Sequence, residues 1–197
     1  MTGSLVKEHE FVEGSASGSM TDAKPTDPPS PFVSLWARRL RAGWPGRPRA
    51  LDVACGRGRH TLVLAGLGYR VTAIDVRIDA LRSLGSALAE GGLRAGLVCA
   101  DLTQFALPAD AFDLIIVSRY LDRARLPDLR RALAPAGVLL YETFTERQLQ
   151  HARGPRSRAH LLRPGELRHR VRGLEVLFDE EATEPDAVAR VVARRRH

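Results

Sequence analysis

Between residues 50 and 144, apolar positions alternate between two rhythms. Short unbroken runs are each followed by a longer stretch in which apolar residues recur every three or four positions. The runs "ALDVA" (50–54), "YRVTAID" (69–75), "AGLVCAD" (95–101), "FDLIIVS" (112–118) and "VLLYETF" (138–144) predict five strands. The fourth is apolar almost throughout, as a strand buried on both faces should be. Between them "HTLVLAGLG" (60–68) predicts a helix closed by Gly68, and "DALRSLGSALAEGG" one with Leu81, Leu84 and Leu88 on a single face. "LPDLRRALAPAG" (126–137) predicts a third, with Leu126, Leu129 and Leu133 inward. Upstream, Phe32, Leu35, Trp36 and Leu40 have helical spacing, and Gly43 and Pro45 stop that helix. Past Phe144 the rhythm breaks. Residues 145–163 read as a long polar, arginine-rich loop, and "PGELRHRV" as a short helix with Pro164 near its first turn. "LEVLFDEE" and "AVARVVARR" read as two strands joined by a short turn, hence antiparallel. The expected fold is α/β and Rossmann-like: a doubly wound, mostly parallel seven-stranded sheet with one antiparallel strand near its edge.

Residues 1–30 differ in kind. They are rich in Ser, Gly, Pro and charge, and "GSASGSM" reads as a linker before a second start at Met20. We expect a disordered segment there, a tag or a misplaced start, and a single folded domain over 31–197. No run approaches the roughly 18 apolar residues of a membrane span, and no basic-then-apolar signal opens the chain. A soluble, cytoplasmic protein is expected. The formal charge is +7, and Lys7 and Lys24 are the only lysines. Such arginine bias fits a GC-rich bacterial genome as well as it fits an anionic partner. Cys55 and Cys99 lie at the ends of strands one and three. With one strand between them they stand about 9–10 Å apart, beyond the ~7 Å reach of a disulfide. Neither has C-x-x-C spacing, and no metal site is expected.

The strand ends carry the chemistry. In open α/β sheets, ligands bind beyond the carboxyl ends of the strands. The first strand ends in Asp52 and runs into "ACGRGRH"; the second ends in Asp75, the third in Asp101. The fourth ends in Ser118-Arg119-Tyr120 and the fifth in Tyr141-Glu142-Thr143. Gly56 and Gly58 permit a tight turn and close backbone approach, and the helix that follows aims its free N–H groups at the same spot. Asp75 follows Gly56 at the distance of a carboxylate that grips ribose hydroxyls. A nicotinamide fingerprint would need glycine where Thr61 stands. Asp52 beside the turn disfavours a pyrophosphate and favours a cationic ligand. S-adenosylmethionine, with a sulfonium, an ammonium, a ribose and no phosphate, suits these residues.

Residues 31–192 resemble the class I S-adenosylmethionine-dependent methyltransferases, and most nearly their tellurite-resistance-type small-molecule branch. The resemblance rests on "LDVACGRGRHTLVLAGLGYRVTAID", "ADLTQFALPADAFDLIIVSRYL", "LRRALAPAGVLLYETFT" and "GPRSRAHLLRPGEL". It implies that Asp52, Ala54, Gly56 and Gly58 cradle the methionine end of the cofactor. Asp75 and Val76 would meet the ribose, Asp101 and Leu102 the adenine. Ser118 and Arg119 would flank the transfer face. Ala54 departs from the usual first glycine, Arg59 from the third, and Ala136 from the Pro-Gly-Gly turn.

Catalytic candidates are Glu142, Tyr120 and His160. Glu142 reads equally as half of an arginine ion pair, and His160 as a solvated loop residue. Trp36, Tyr120 and Tyr141 are candidates to face the cationic methyl, though the spacing of Trp36 reads more readily as a core position. His60 is expected to make a structural hydrogen bond, and Cys55 to fill space beside the cofactor. Arg147, Arg153, Arg156 and Arg158 of the 145–163 loop suit an anionic small acceptor. An RNA or protein methyltransferase, or a non-catalytic cofactor-binding partner protein, are the alternatives; the low aromatic content, 6%, disfavours nucleic acid.

Overall fold

The computed structural model describes residues 28–196. Its order is α1 (Pro31–Gly43), β1 (Arg49–Val53), α2 (Arg59–Gly66), β2 (Arg70–Asp75), α3 (Ile78–Glu90), β3 (Ala95–Cys99) and β4 (Phe112–Ser118). There follow α4 (Leu126–Ala132), β5 (Leu133–Phe144), two 3-10 turns, α5 (Glu166–Arg170), β6 (Glu175–Ala182) and β7 (Val188–Arg194). The seven strands form one sheet in the order β3-β2-β1-β4-β5-β7-β6. β7 is antiparallel to both of its neighbours, and every other pairing is parallel. The expected fold class is the observed one. The strand order reverses between β1 and β4, so their carboxyl ends flank the crevice where such sheets take ligands.

Alternation along the strands builds two cores. Leu51, Val53, Ile115, Val117, Leu139, Tyr141 and Val191 face α4 and α5. Ala50, Leu114, Ile116, Val138, Leu140 and Val192 face α1 and α2, meeting Phe32, Val33, Ala37 and Leu64. Leu35 is not part of that stripe. It is 47% exposed, and Val33 takes the inward position. Trp36 packs on Phe178 of β6, with ring centroids 5.7 Å apart, which removes it from the candidates for the transfer face.

The third predicted helix is shorter than its leucine spacing suggests. α4 stops at Ala132, and Leu133 is already extended at φ −63°, ψ 133°. Pro135 disfavours helix at the residue before it and cannot donate a helical hydrogen bond, so "LAPAG" becomes the first part of β5. Leu133 is buried, but from a strand. The 145–163 segment holds 3-10 turns at Glu146–Gln150 and Arg158–His160. Residues 1–27, on which the expectation of a disordered segment chiefly falls, lie outside the described residues. Pro28–Ser30 already join the domain. The Pro28 carbonyl accepts from Arg59, and Ser30 caps α1 and donates its amide to His60 Nε2 at 3.0 Å.

Candidate functional site

The chain leaves β1 through a loop with three left-handed residues at alternate positions, Ala54 (φ 53°), Gly56 (φ 56°) and Gly58 (φ 79°). Ala54 therefore adopts the conformation the missing glycine would have taken. At Gly58 the requirement is also steric, since a Cβ there would lie 2.2 Å from Leu84 Cδ1 of α3. This glycine lets α2 and α3 close on one another.

Asp52 is buried at the end of β1. Its Oδ2 accepts the Thr61 hydroxyl at 2.6 Å, and the Thr61 amide also donates to this carboxylate. Gly58, the residue that precedes α2, has no side chain with which to cap it. Asp52 does so from the neighbouring strand and fixes where the first turn of α2 points. Burial pushes its carboxyl up to about 6 against the hydrogen bonds from Thr61 and the nearby Arg59 charge, while Asp75 pushes the same way as burial. Sequence reasoning saw Thr61 only as a missing glycine.

Asp75 ends β2 beneath the same loop. Its Oδ2 accepts the Gly56 amide at 2.7 Å, and its Oδ1 the Arg77 amide at 2.9 Å. Two backbone donors thus lock the carboxylate at the loop. Val76 beside it is 62% exposed. On the next strand end Asp101 is exposed and closes an Asx turn on the Thr103 amide and hydroxyl, each at 2.8 Å; these bonds lower its pKa, the amide first. The Ala100 amide donates to the Asp75 carbonyl at 3.1 Å, which ties the two strand ends together. Leu102 sends its side chain into the core, so what it can offer a ligand is main chain. Cys55 is buried, and burial together with Asp52 and Asp75 pushes its thiol far up, as suits a filler. Cys99 is also a free thiol.

Ser118 and Glu142 stand opposite each other where β4 and β5 end. Arg59 Nη2 donates to Ser118 Oγ at 3.3 Å. Arg119 takes a left-handed φ of 57°, its amide donates to the Glu142 carbonyl at 2.8 Å, and its guanidinium lies 5.7 Å from the Phe144 ring. Arg59 and Arg119 both act on buried His60, whose pKa falls to about 3, chiefly through burial and then through these two charges. The imidazole is neutral and accepts from Ser30, the structural role expected of it.

The catalytic candidates separate. Glu142 is buried and its Oε2 accepts from Arg190 Nε of β7 at 2.7 Å, while Arg190 Nη1 reaches Glu180 of β6 at 2.8 Å. The register places these three side by side across β5, β7 and β6. This is the ion-pair alternative of the sequence reading; its signal was absent because it depends on the β5–β7 register. Tyr120 is half-buried, and desolvation, then Asp122, raises its hydroxyl pKa. Tyr141 faces the core and donates to the Tyr120 carbonyl at 3.0 Å, so it does not face the site. His160 is exposed on its 3-10 turn. The loop arginines 147, 153, 156 and 158 are exposed as well. What fastens that loop is a residue the sequence did not flag. Arg123 donates to the carbonyls of Ala159 and Leu161 and, through two nitrogens, to Glu166, whose carboxyl it pulls down to about 2.

The described residues fit S-adenosylmethionine. A locked carboxylate, an open-backed loop of three left-handed residues and an exposed apolar side chain converge where the cofactor's ribose, methionine end and adenine would lie. Among the described residues no cluster of His, Cys, Asp and Glu is arranged to hold a metal ion, and no helix is long and apolar enough to cross a membrane.

Comparison with known proteins bears on the fold and the domain type. Residues 50–140 match the family model described as a methyltransferase domain. A ubiquinone biosynthesis O-methyltransferase of Caulobacter sp. (strain K31) is 31% identical over 102 residues, which span 49% of this chain and 40% of that protein. Among solved structures, TehB from Haemophilus influenzae superposes with a TM-score of 0.68 at 20% identity, covering 83% of this chain and 61% of that one. A methyltransferase from Methanosarcina mazei gives 0.64 at 20% identity, covering 80% and 97%. At this identity the structural likenesses carry the fold and not the acceptor.

Proposed function

Residues 50–140 being a class I, S-adenosylmethionine-dependent methyltransferase domain, we propose that the chain transfers the cofactor's methyl group in line to a small anionic acceptor. The observation that carries the reading is the Asp75 carboxylate locked on the Gly56 amide at 2.7 Å beneath the left-handed loop. A ribose hydroxyl pair is the natural partner of a carboxylate so oriented.

When bound, the cofactor supplies an electrophilic methyl on a positively charged sulfur. The chain's own contribution is orientation, from which several kcal/mol of the roughly 7–11 available can come. Gly56 and Gly58 offer main chain to the methionine end, with Ala54 in the same conformation. Asp52 acts through Thr61 by aiming α2, and Val76 and the Asp101 turn bound the adenine. Ser118 and Arg119 flank the transfer face. Among the described residues the buried imidazole and carboxylates of the site are engaged: His60 by Ser30, Glu142 by Arg190, Asp52 by Thr61 and Asp75 by the Gly56 amide. The acceptor therefore arrives as its own nucleophile, in anionic form.

Arg59, which donates to Ser118, and Arg119, whose guanidinium pairs with Asp186 at 3.3 Å, are the cations assigned to that anion in preference to the exposed arginines of the 145–163 loop. The tellurite-resistance-type branch suggests oxyanions among the acceptors to try. The test is an acceptor screen with radiolabelled methyl donor, covering metalloid oxyanions, thiols, small acids and RNA. Label should pass to an anionic small molecule, and Arg119→Ala should raise KM more than it lowers kcat. Label passing only to RNA, or to no acceptor while the cofactor binds, would refute this reading.

A further inference from the structure

Three sequence features take no part in methyl transfer: the arginine-rich second half of α1, the Pro135-Ala136-Gly137 turn and the basic run that ends β7. The fold brings them together. At the amino end of the parallel strands, opposite the glycine loop, lies a cavity of ≈ 490 Å³ lined by Arg39, Trp44, Glu175, Arg194, Arg195 and Arg196, with Ala136 in its wall. Ala136 is left-handed at φ 61°. Beside it the Arg195 amide donates to the Gly137 carbonyl at 2.8 Å. β4, the central strand, spans seven residues between the two ends of the sheet, or about 20 Å.

The cavity's charge is unbalanced. Four arginines and one glutamate line it, and Asp110 outside the lining holds one of the four, Arg195. Glu175 lies 3.8 Å from Arg194, too far for a hydrogen bond. Arg195 is held by one nitrogen, Nη1, on Asp110 and the Leu133 and Arg131 carbonyls. Arg39 lies over the Trp36 ring at 5.4 Å. Among the described residues neither Arg39 nor Arg196 has an acidic partner. Grouped guanidinium forks match phosphate oxygens in geometry as well as charge. Leu40, Val138 and the half-buried Trp44 supply apolar wall for a ligand body, and the volume is that of a small-molecule site.

We propose that this cavity binds a small phosphorylated molecule of nucleotide size, at a site separate from the methyl-transfer end of the sheet. The two ends share no lining residue, so the proposal does not depend on which acceptor is methylated. Calorimetry on the full chain at low ionic strength, with pyrophosphate and with uridine diphosphate as probes, tests it. Uridine diphosphate lacks the adenine that would draw a probe to the other end. One equivalent of each probe should bind. The double variant R39A/R196A should bind at least about tenfold more weakly with its unfolding midpoint unchanged, and D75N should bind as the parent does. Failure of both probes to bind, or unchanged affinity in R39A/R196A, would overturn the proposal. So would binding confined to oligouridylate with affinity rising with length, because that is an extended polyanion surface and not a cavity.

Discussion

At the scale of single residues, buried polar groups near the glycine loop are each tied to a stated partner, so removing either member of a pair has a definite cost. Asp52→Ala strips the Thr61 amide and hydroxyl of their acceptor and should lose about 1–3 kcal/mol in denaturant unfolding. Asp52→Asn keeps an acceptor oxygen there and should lose less. His60 gives a pH signature of known sign. Its folded-state pKa of about 3 lies below the ordinary 6.5, so the unfolded chain takes up the proton first. Stability is lost as pH falls from about 6.5 to about 3. Asp52 acts oppositely. Its folded value of about 6 lies above the ordinary 3.8, so its contribution is present below 3.8 and lost as pH rises through 6. Gln at position 60 can still accept from Ser30 but does not titrate. The stability of H60Q relative to the parent should therefore improve steadily between pH 6.5 and pH 4, measured by urea unfolding. Glu142 holds Arg190 and has no part as a base in the proposed function. Glu142→Gln should keep the parent pH–rate profile and lose less than tenfold in kcat, where loss of a general base would cost about 10²–10⁴.

At the scale of elements, the decisive contact is α2 against α3 at Gly58 and Leu84. Gly58→Ala adds left-handed strain of roughly 1–2 kcal/mol and a clash with Leu84. Leu84→Ala alone opens a hole costing about 2–5 kcal/mol. In the double variant the clash is gone, so the loss should fall short of the sum of the single losses, as a double-mutant cycle would read directly. Much of this level was legible in the chain. Strand periodicity, the Asp52-to-Gly58 turn and the acids ending β2 and β3 all depend on neighbours in sequence. The end of α4 was missed because leucine spacing continues through Leu133, although Pro135 forbids helix before it. Leu35 was misread because helical spacing alone does not say which positions of α1 the sheet covers; Trp36 took its core reading, against Phe178 of β6. The Glu142–Arg190–Glu180 row and the Arg123 clamp were out of reach, since each joins residues that only strand register or loop docking brings together.

At the scale of the whole molecule, the sheet separates two chemistries. The carboxyl ends of β1 and β2, and the turn after β3, deliver Asp52, Asp75 and Asp101 to one end, while the opposite end gathers Arg39 and Arg194–Arg196 around a cavity. Proteins that share this fold need not share a substrate. The account therefore stands on the cofactor end, and calorimetric titration of the full chain with S-adenosylmethionine and its demethylated product is its most direct test. We predict one equivalent bound, with affinity lowered at least about tenfold in D75N. Absence of binding by either compound, or a D75N variant that binds as tightly as the parent, would contradict it.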